Sequence, residues 1–186
     1  MRSVDTGFPG LLLIEPKVFE DERGYFYESY NARLFSDAGI DCDFVQDNQS
    51  KSSYGVIRGL HYQLAPHAQA KLVRVISGEV LDVVLDLRKG SPRYGESYAV
   101  RLSAENKKQL FIPRGFAHGF SVLSEEAVFF YKCDGYYDKS SERGIRFDDP
   151  ELKIDWMIPE EKRIVSEKDQ KLPFFQQAEH EFKFQA

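Results

Sequence analysis

The residues best suited to chemistry in this sequence lie in one short run around a histidine, Arg58-Gly59-Leu60-His61-Tyr62-Gln63. A neutral imidazole is a good proton acceptor near pH 7. Lys71 follows ten residues after His61, and an ammonium group beside a substrate stabilises an oxyanion made by removing a proton. His61 is therefore a candidate for a proton-transfer residue, a metal ligand or a hydrogen-bonded structural histidine.

A second histidine, His118, follows a turn containing proline and glycine and raises the question of a metal site. A zinc or iron site usually needs three or more ligands of suitable type. The residue two positions after His61 is Gln63, a poor metal ligand, while His67 and His180 lie in a loop-like stretch and at a polar C-terminus. This ligand set is thin, so we expect no metal.

Lys71 and Tyr131 each allow two interpretations. Lys71 opens an apolar segment and is either a solvated lysine at a strand edge or an electrostatic clamp on a developing enolate. Tyr131 ends the apolar run 127–130 and is either a packed core residue or a proton donor whose ring enters a pocket. The residue types alone leave both questions open.

Short strand-like segments, separated by Gly, Pro, Asn and Asp, must position these side chains. We predict strands at 11–15, 25–30, 43–46, 56–62, 71–76, 79–87, 97–102, 109–112, 119–123 and 127–133. Their number and spacing favour an all-β sandwich or barrel. We predict one helix at 31–38, ended by Gly39, and from about Asp149 a segment of loops and short helices that packs over the barrel.

Two strands carry specific predictions. In 79–87, one face is wholly apolar and the other contains Asp82 and Asp86, which is period-two patterning; Ser77-Gly78 before it predicts a tight hairpin turn. In 58–63, strict alternation places His61 on the same face as Gln63 and puts Arg58 on the opposite face, unless a bulge or bend at Gly59 redirects it.

Composition limits the classes of function. The chain has 186 residues, 42% of them hydrophobic and 14% aromatic, so we expect one domain over 1–186 with a sizeable core. The formal charge of −5 argues against nucleic-acid binding. The apolar run 11–14 is too short to span a membrane, and the two cysteines, Cys42 and Cys133, form no disulfide scaffold. These features favour the cytoplasm.

Several motifs in order along the chain resemble the dTDP-4-dehydrorhamnose 3,5-epimerases, a cupin-type jelly-roll family. The resemblance covers about 10–173. It runs through Asp21-Glu22-Arg23-Gly24, Phe44-Val45-Gln46-Asp47-Asn48, Arg58-Gly59-Leu60-His61-Tyr62-Gln63, Lys71-Leu72-Val73-Arg74-Val75, Ile112-Pro113-Arg114-Gly115-Phe116-Ala117-His118-Gly119-Phe120, Tyr131-Lys132, Tyr136-Tyr137 and Ser166-Glu167-Lys168-Asp169. One departure is Ala70, where the family usually has glycine.

The resemblance implies a cupin-type jelly-roll barrel with short peripheral helices, a homodimer with shared active sites, a dTDP-sugar substrate and no metal or cofactor. It implies that His61 is the general base, oriented by Asp169, that Tyr131 is the general acid, and that Lys71 stabilises the enolate at the C4 oxygen. The substrate-binding positions that it implies are Phe19, Arg23, Phe26, Glu28, Gln46, Asn48, Arg58, Lys71, His118, Tyr137, Glu142 and Lys168. Contacts near Arg23 and Glu28 are expected to cross the dimer interface.

The predicted function is therefore conversion of dTDP-4-dehydro-6-deoxy-D-glucose to dTDP-4-dehydro-L-rhamnose, with inversion at C3 and C5. The alternative is an epimerase that acts only at C5 or only at C3 of a related sugar. A metal-dependent cupin enzyme and a non-catalytic module that binds nucleotide sugars are more distant possibilities.

Overall fold

Alternating apolar and polar side chains fold the chain into two antiparallel sheets that face each other, in a computed structural model that describes residues 1–185. The strands are β1 (Arg2–Asp5), β2 (Leu12–Glu15), β3 (Phe19–Asp21), β4 (Gly24–Phe26), β5 (Gln46–Ser53), β6 (Val56–Gln63), β7 (Lys71–Ser77), β8 (Glu79–Asp86), β9 (Ser97–Ser103), β10 (Gln109–Ile112), β11 (Phe116–Val122), β12 (Glu126–Cys133), β13 (Glu142–Gly144) and β14 (Ile164–Val165). The helices are α1 (Ala32–Asp37) and α2 (Glu167–Gln170), with 3-10 turns at Glu160–Lys162 and Phe175–Gln177.

The strands form two six-stranded sheets and one separate hairpin. Sheet I has the order β1-β2-β10-β7-β12-β5, and sheet II has the order β13-β6-β11-β8-β9, with β14 beside β6 in parallel. The hairpin pairs β3 with β4. The predicted all-β jelly roll with short peripheral helices is confirmed.

The main hydrophobic core lies between the two sheets and draws on the inward face of each strand. Sheet I contributes Val73 and Phe129, and sheet II contributes Val84 and Phe120. The Phe120 and Phe129 rings stack with centroids 4.3 Å apart. Burial of such rings provides most of the free energy that holds the sheets together, at about 25 cal/mol per Å² of apolar surface.

The period-two pattern predicted for β8 is confirmed. Val80 and Val84 point into the core between the sheets, whereas Leu81, Val83 and Leu85 point outwards. Trp156 and Phe175 from the C-terminal segment cover this outward face. Both faces of β8 are therefore buried, and the strand is fixed in register.

The hairpin predicted at Ser77-Gly78 is wrong. The turn is tight, with Gly78 at φ +81°, but β7 belongs to sheet I and β8 to sheet II. The chain crosses between sheets here, so β8 pairs with β9 and β11 instead. A turn sequence specifies a change of direction, but the pairing depends on the apolar faces that the two sheets bury.

Three of the predicted strands are shifted. The prediction at 25–30 is correct only at its start, since β4 ends at Phe26; the prediction at 43–46 overlaps β5 only at Gln46; and β11 begins at Phe116, before the predicted 119. Most of β5 was not predicted, because the residues that alternate towards the inside, such as Asn48 and Ser50, are polar and give no apolar period-two pattern. The short strands β1, β3, β13 and β14 were also not predicted.

The helix predicted at 31–38 is confirmed as α1. The Asn31 side chain caps its first turn by accepting a hydrogen bond from the Leu34 N–H, and Gly39 follows its end at φ +82°. Phe35 packs against the outward face of sheet I beside Ile14 and Leu72. No helix within residues 1–185 has the length and apolar character needed to cross a bilayer.

Candidate active site

A bulge in β6 brings Arg58 and His61 to the same side of sheet II. In the pairing with β11, Arg58 lies opposite Phe120 and His61 opposite His118, so two residues of β6 face the single residue Gly119. An extra residue in one strand reverses the side-chain alternation beyond it. Arg58 and His61 therefore both line the cavity between the sheets. Strict alternation, which put Arg58 on the opposite face, fails here because of the bulge at Gly59.

Glycine at position 59 makes this bulge possible. Gly59 has a φ of +115°, and a Cβ atom there would lie 2.7 Å from both the Gly119 Cα and the His118 carbonyl oxygen. Side chains avoid such backbone conformations, and backbone atoms cannot give way easily.

We expect Gly59→Ala to lower the free energy of unfolding by about 2–4 kcal/mol, through backbone strain and overpacking together. Chemical denaturation followed by tryptophan fluorescence measures the change. Gly24→Ala is the matched control, since Gly24 has a φ of +123° and a methyl group there would meet no atom within 4 Å beyond its chain neighbours. Equal losses in the two variants would show that the close approach to Gly119 contributes nothing.

His61 is hydrogen-bonded to a buried carboxylate. Its Nε2 lies 2.8 Å from Asp169 Oδ1, although the two residues are 108 positions apart in sequence. Asp169 lies in α2, where its N–H donates to the Ser166 side chain, and its Oδ2 accepts a hydrogen bond from the Gly59 N–H at 3.3 Å. The aspartate is thus held from three directions and fixes the imidazole ring.

This arrangement leaves the other nitrogen of His61 available as a proton acceptor. Burial raises the pKa of Asp169, but the hydrogen bonds from His61, Gly59 and Ser166 outweigh burial, so its pKa is lowered overall. Asp169 is therefore ionised and accepts a hydrogen bond from the Nε2–H of His61, which fixes the tautomer of the ring. The free lone pair then sits on Nδ1, which has no protein partner within residues 1–185.

Lys71 and Tyr131 face His61 from sheet I. Lys71 is the first residue of β7, and its ammonium lies 5.8 Å from the centroid of the Tyr131 ring. Burial lowers the pKa of Lys71 and raises the pKa of Tyr131. At neutral pH the phenol accordingly keeps its proton, and so it can donate one.

A cavity of about 600 Å³ contains most of the residues named from the sequence. His61 and Asp169 line it from sheet II and α2, and Lys71 and Tyr131 from sheet I. The other predicted residues that line it are Asn48, Arg58, His118 and Lys168. A second cavity of about 330 Å³ adjoins the first, shares His61, Lys71, Tyr131 and Asn48 with it, and adds Gln46, Tyr137 and Glu142.

Glu142 links α2 to the rim of the second cavity. One of its oxygens accepts hydrogen bonds from Lys168 Nζ at 2.6 Å and from the Tyr137 hydroxyl at 3.0 Å. Burial raises the pKa of Glu142, but these hydrogen bonds outweigh it and lower the pKa overall. The rim therefore carries an ionised carboxylate between a cation and an exposed aromatic ring.

The sequence placed Asp82 on the face of β8 opposite its wholly apolar face and assigned it no role. In the structure its Oδ2 lies 2.9 Å from His118 Nε2, and both side chains are buried. The available signal was an acidic residue between Val80 and Val84 on one face of a strand. A second missed contact joins the Ser52 hydroxyl to Arg58 Nε at 3.1 Å.

Four predicted residues lie away from the cavity. Phe19, Arg23 and Phe26 belong to the β3–β4 hairpin and its turn, where Phe19 is 52% and Phe26 66% exposed. Arg23 pairs with Asp21 in the same turn, and Glu28 is exposed beyond the hairpin, where it accepts a hydrogen bond from Asn31. Within one chain these residues do not reach His61.

Ala70 does not disturb the site. Its methyl group packs into the buried cluster under α1, with Phe35 and Leu72. Its N–H donates to Asp134 Oδ1 at 2.6 Å, which holds the start of β7. Among residues 1–185, no group of three His, Cys, Asp or Glu side chains is arranged to hold a metal ion.

Comparison with known proteins agrees with this geometry. Residues 5–177 match the family model described as dTDP-4-dehydrorhamnose 3,5-epimerase. A protein of that name from Shigella flexneri is 55% identical over 170 residues, which cover 91% of this chain and 93% of that protein.

Solved structures extend the likeness. The crystal structure of dTDP-6-deoxy-D-glucose-3,5-epimerase from Legionella pneumophila, in complex with dTDP-4-keto-L-rhamnose, is 47% identical, with a TM-score of 0.94 over 100% of this chain and 99% of that one. A 3'-monoepimerase from Streptomyces bikiniensis, solved as a double mutant with dTDP, is 30% identical, with a TM-score of 0.85 over 91% of this chain and 85% of that one. By sequence and by structure, this chain belongs to the dTDP-4-dehydrorhamnose 3,5-epimerase family.

Proposed function

We propose that this chain is an isomerase that converts dTDP-4-dehydro-6-deoxy-D-glucose to dTDP-4-dehydro-L-rhamnose by inverting C3 and C5. One observation carries the proposal: His61, bonded to Asp169, and Tyr131 stand on opposite walls of one cavity, with Lys71 beside Tyr131. An acceptor and a donor of protons on opposite sides of a sugar ring are what an inversion requires.

The first step is removal of a proton next to the C4 ketone. The carbonyl acidifies the hydrogens at C3 and C5, and His61 Nδ1 accepts one of them while Asp169 stabilises the imidazolium. Negative charge moves to the C4 oxygen as the enolate forms. The Lys71 ammonium, which has no acidic partner within 4.0 Å among residues 1–185, is available to stabilise that oxygen.

The second step delivers a proton to the opposite face of the ring. A single base would return the proton to the face from which it came, and no inversion would result. Tyr131 lies on the facing sheet, and burial raises the pKa of its phenol, so the hydroxyl is protonated when the enolate forms. Proton transfers alone complete this reaction, and no cofactor is required.

The polar residues around the cavity suit a nucleotide diphosphate. Arg58 and Lys168 supply positive charge, Gln46 and Asn48 supply amide groups, and the Tyr137 ring is exposed at the rim. Cations and amides bind phosphate oxygens well, and an exposed ring stacks on a base or sugar. We assign these side chains to substrate binding.

We further propose a homodimer in which each hairpin completes the partner's site. Phe19, Arg23 and Phe26 are exposed and distant from the cavity of their own chain. Exposed aromatic residues beside a cation form a surface that favours a nucleotide ligand or a protein partner. With Glu28, the hairpin would close the substrate site of a second copy.

Mixing two inactive variants tests the shared site. Arg23→Ala and His61→Ala chains, co-expressed in equal amounts, should recover about a quarter of wild-type activity, since half the dimers are mixed and each contains one native site. The assay is run below the KM, and each variant alone is the control. Absence of recovery, with mixed dimers present by mass spectrometry, would show that each site is built from one chain.

Isotope labelling tests the reaction itself. We incubate the protein with dTDP-4-dehydro-6-deoxy-D-glucose in deuterated water and locate the label by NMR. Deuterium at both C3 and C5, in an L-rhamno product, is expected. Label at one carbon would support the single-site alternative, and binding without exchange would support a non-catalytic module. Metal analysis of the active protein tests the metal-dependent alternative.

The double epimerase is favoured over the single-site alternative by the degree of likeness. The 3,5-epimerase of Shigella flexneri is 55% identical to this chain and the 3'-monoepimerase only 30%. We also propose that the chain is a single domain that works in the cytoplasm. Support for the compartment comes from Cys42 and Cys133, which are both free thiols, as a reducing environment would keep them.

A further inference from the structure

Asp82 is a charged residue in the middle of the hydrophobic core. It lies in β8 with its side chain directed inwards, between Val80 and Val84 and opposite Phe120 of β11, and it is fully buried. A carboxylate in such surroundings costs free energy of folding, and an apolar residue of similar size would often be more stable. A carboxylate at this position therefore needs an explanation other than its contribution to stability.

The hydrogen bonds of Asp82 are incomplete. Oδ2 is bonded to His118 Nε2 at 2.9 Å, whereas Oδ1 is the buried side-chain N or O atom that lacks any partner within residues 1–185. Asp86, on the same face of the same strand, differs completely. Its two oxygens accept hydrogen bonds from Arg88 and Ser91, as a structural carboxylate should. Asp82 is therefore poorly explained by stability.

His118 is fixed by this carboxylate on one side and by an aromatic ring on the other. Its ring stacks on Phe129, with centroids 5.9 Å apart and planes at 23°. With Nε2 engaged by Asp82, Nδ1 is the nitrogen without a partner within residues 1–185, and His118 lines the same cavity as Lys71 and Tyr131. Nδ1 is thus the atom that the ring offers to a ligand.

We propose that Asp82 is a positioning residue for the reaction: it holds the His118 ring so that Nδ1 faces the sugar beside the Lys71 ammonium. This inference rests on the proposed function. The site then contains two His–Asp pairs with different tasks. Asp169 orients His61 for proton transfer, and Asp82 orients His118 for a contact with an oxygen of the sugar.

The charge of Asp82 also acts on Lys71. Burial lowers the pKa of Lys71, and the negative charges of Asp82 and Glu142 oppose that effect. Of these, Asp82 is the buried carboxylate attached to the wall that faces Lys71. Loss of its charge should therefore affect both the orientation of His118 and the charge of Lys71, the group that stabilises the enolate oxygen.

Asp82→Asn tests the proposal, because the amide retains the size of the side chain and an acceptor for His118 but removes the charge. We expect kcat to fall about tenfold or more, with the dissociation constant of dTDP unchanged and the midpoint of thermal unfolding unchanged or raised. Asp86→Asn is the matched control: it should lower the thermal midpoint and leave the kcat of the folded protein near wild type. Wild-type kcat in Asp82→Asn would overturn the proposal.

Two further measurements separate positioning from structure. In a protein that already carries His118→Gln, adding Asp82→Asn should lower kcat little further, since Asp82 acts through His118. If Asp82→Asn lowered kcat by the same factor in the wild-type protein and in the His118→Gln protein, the proposal would be overturned. In the wild-type protein, ¹⁵N NMR should show His118 protonated at Nε2; a bare Nε2 would overturn it without any variant. If wild-type protein fails to turn over the sugar, the proposed function fails instead.

Discussion

Replacing His61 with alanine is expected to lower kcat by about 10³-fold or more while dTDP-sugar binding remains measurable. His61 Nδ1 has no partner within residues 1–185 and belongs to a ring held by an ionised aspartate. Alanine leaves no group in that position to remove the C3 or C5 proton. Arg58 and Lys168, which line the same cavity and are proposed to bind the phosphates, stay in place. The loss should therefore appear in kcat rather than in the dissociation constant.

The measurement is a coupled assay for the L-rhamno product, together with deuterium exchange at C3 and C5. His67→Ala is the matched control, because His67 is an exposed histidine in the loop after β6 and lies outside both cavities. It should retain wild-type turnover. If His61→Ala turned over like wild type, the assignment of His61 as the base would be wrong.

Local sequence patterns were enough to predict the elements that position part of this site. The alternation in β8 divided its side chains correctly between two faces. It did not show that the wholly apolar face lies under the C-terminal segment, while the face with Val80 and Val84 lies between the sheets. The helix α1 was predicted from a segment that ends at Gly39, and the structure adds that Asn31 caps its first turn. These features are local, and local chemistry decides them.

Two of the failures lie at the cavity itself. Strand β5 was shifted because its inward residues line a polar cavity instead of a core, so the alternation of apolar residues is absent where the site lies. The face of Arg58 depended on a bulge that strict alternation cannot show. A functional cavity replaces apolar side chains with polar ones, and the sequence signal for a strand weakens there.

Long-range pairing was beyond local reasoning. Asp169 lies 108 positions after His61 and was connected to it only through the family resemblance. The contact between Asp82 and His118 joins β8 to β11, and no sequence motif predicted it. In both cases a histidine was visible in the sequence, but the carboxylate that fixes its orientation required the fold.

Replacing Tyr131 with phenylalanine is expected to separate proton removal from inversion. The ring still packs against the core, but the proposed proton donor on the wall of sheet I is gone. We expect formation of the L-rhamno product to fall by about 10²–10³-fold, in the range for loss of a general acid. His61, which is partly open to solvent, should still exchange its proton with water and return deuterium to the original face.

The diagnostic result is therefore deuterium in recovered substrate without inversion, read by NMR of the sugar after incubation in deuterated water. Tyr98→Phe is the matched control, since Tyr98 also packs at the edge of the main core but does not line either cavity. It should invert both centres at the wild-type rate. The two-sided mechanism needs a proton donor opposite His61. If Tyr131→Phe inverted both centres at the wild-type rate, another residue of sheet I would have to be that donor, and the assignment of Tyr131 would be wrong.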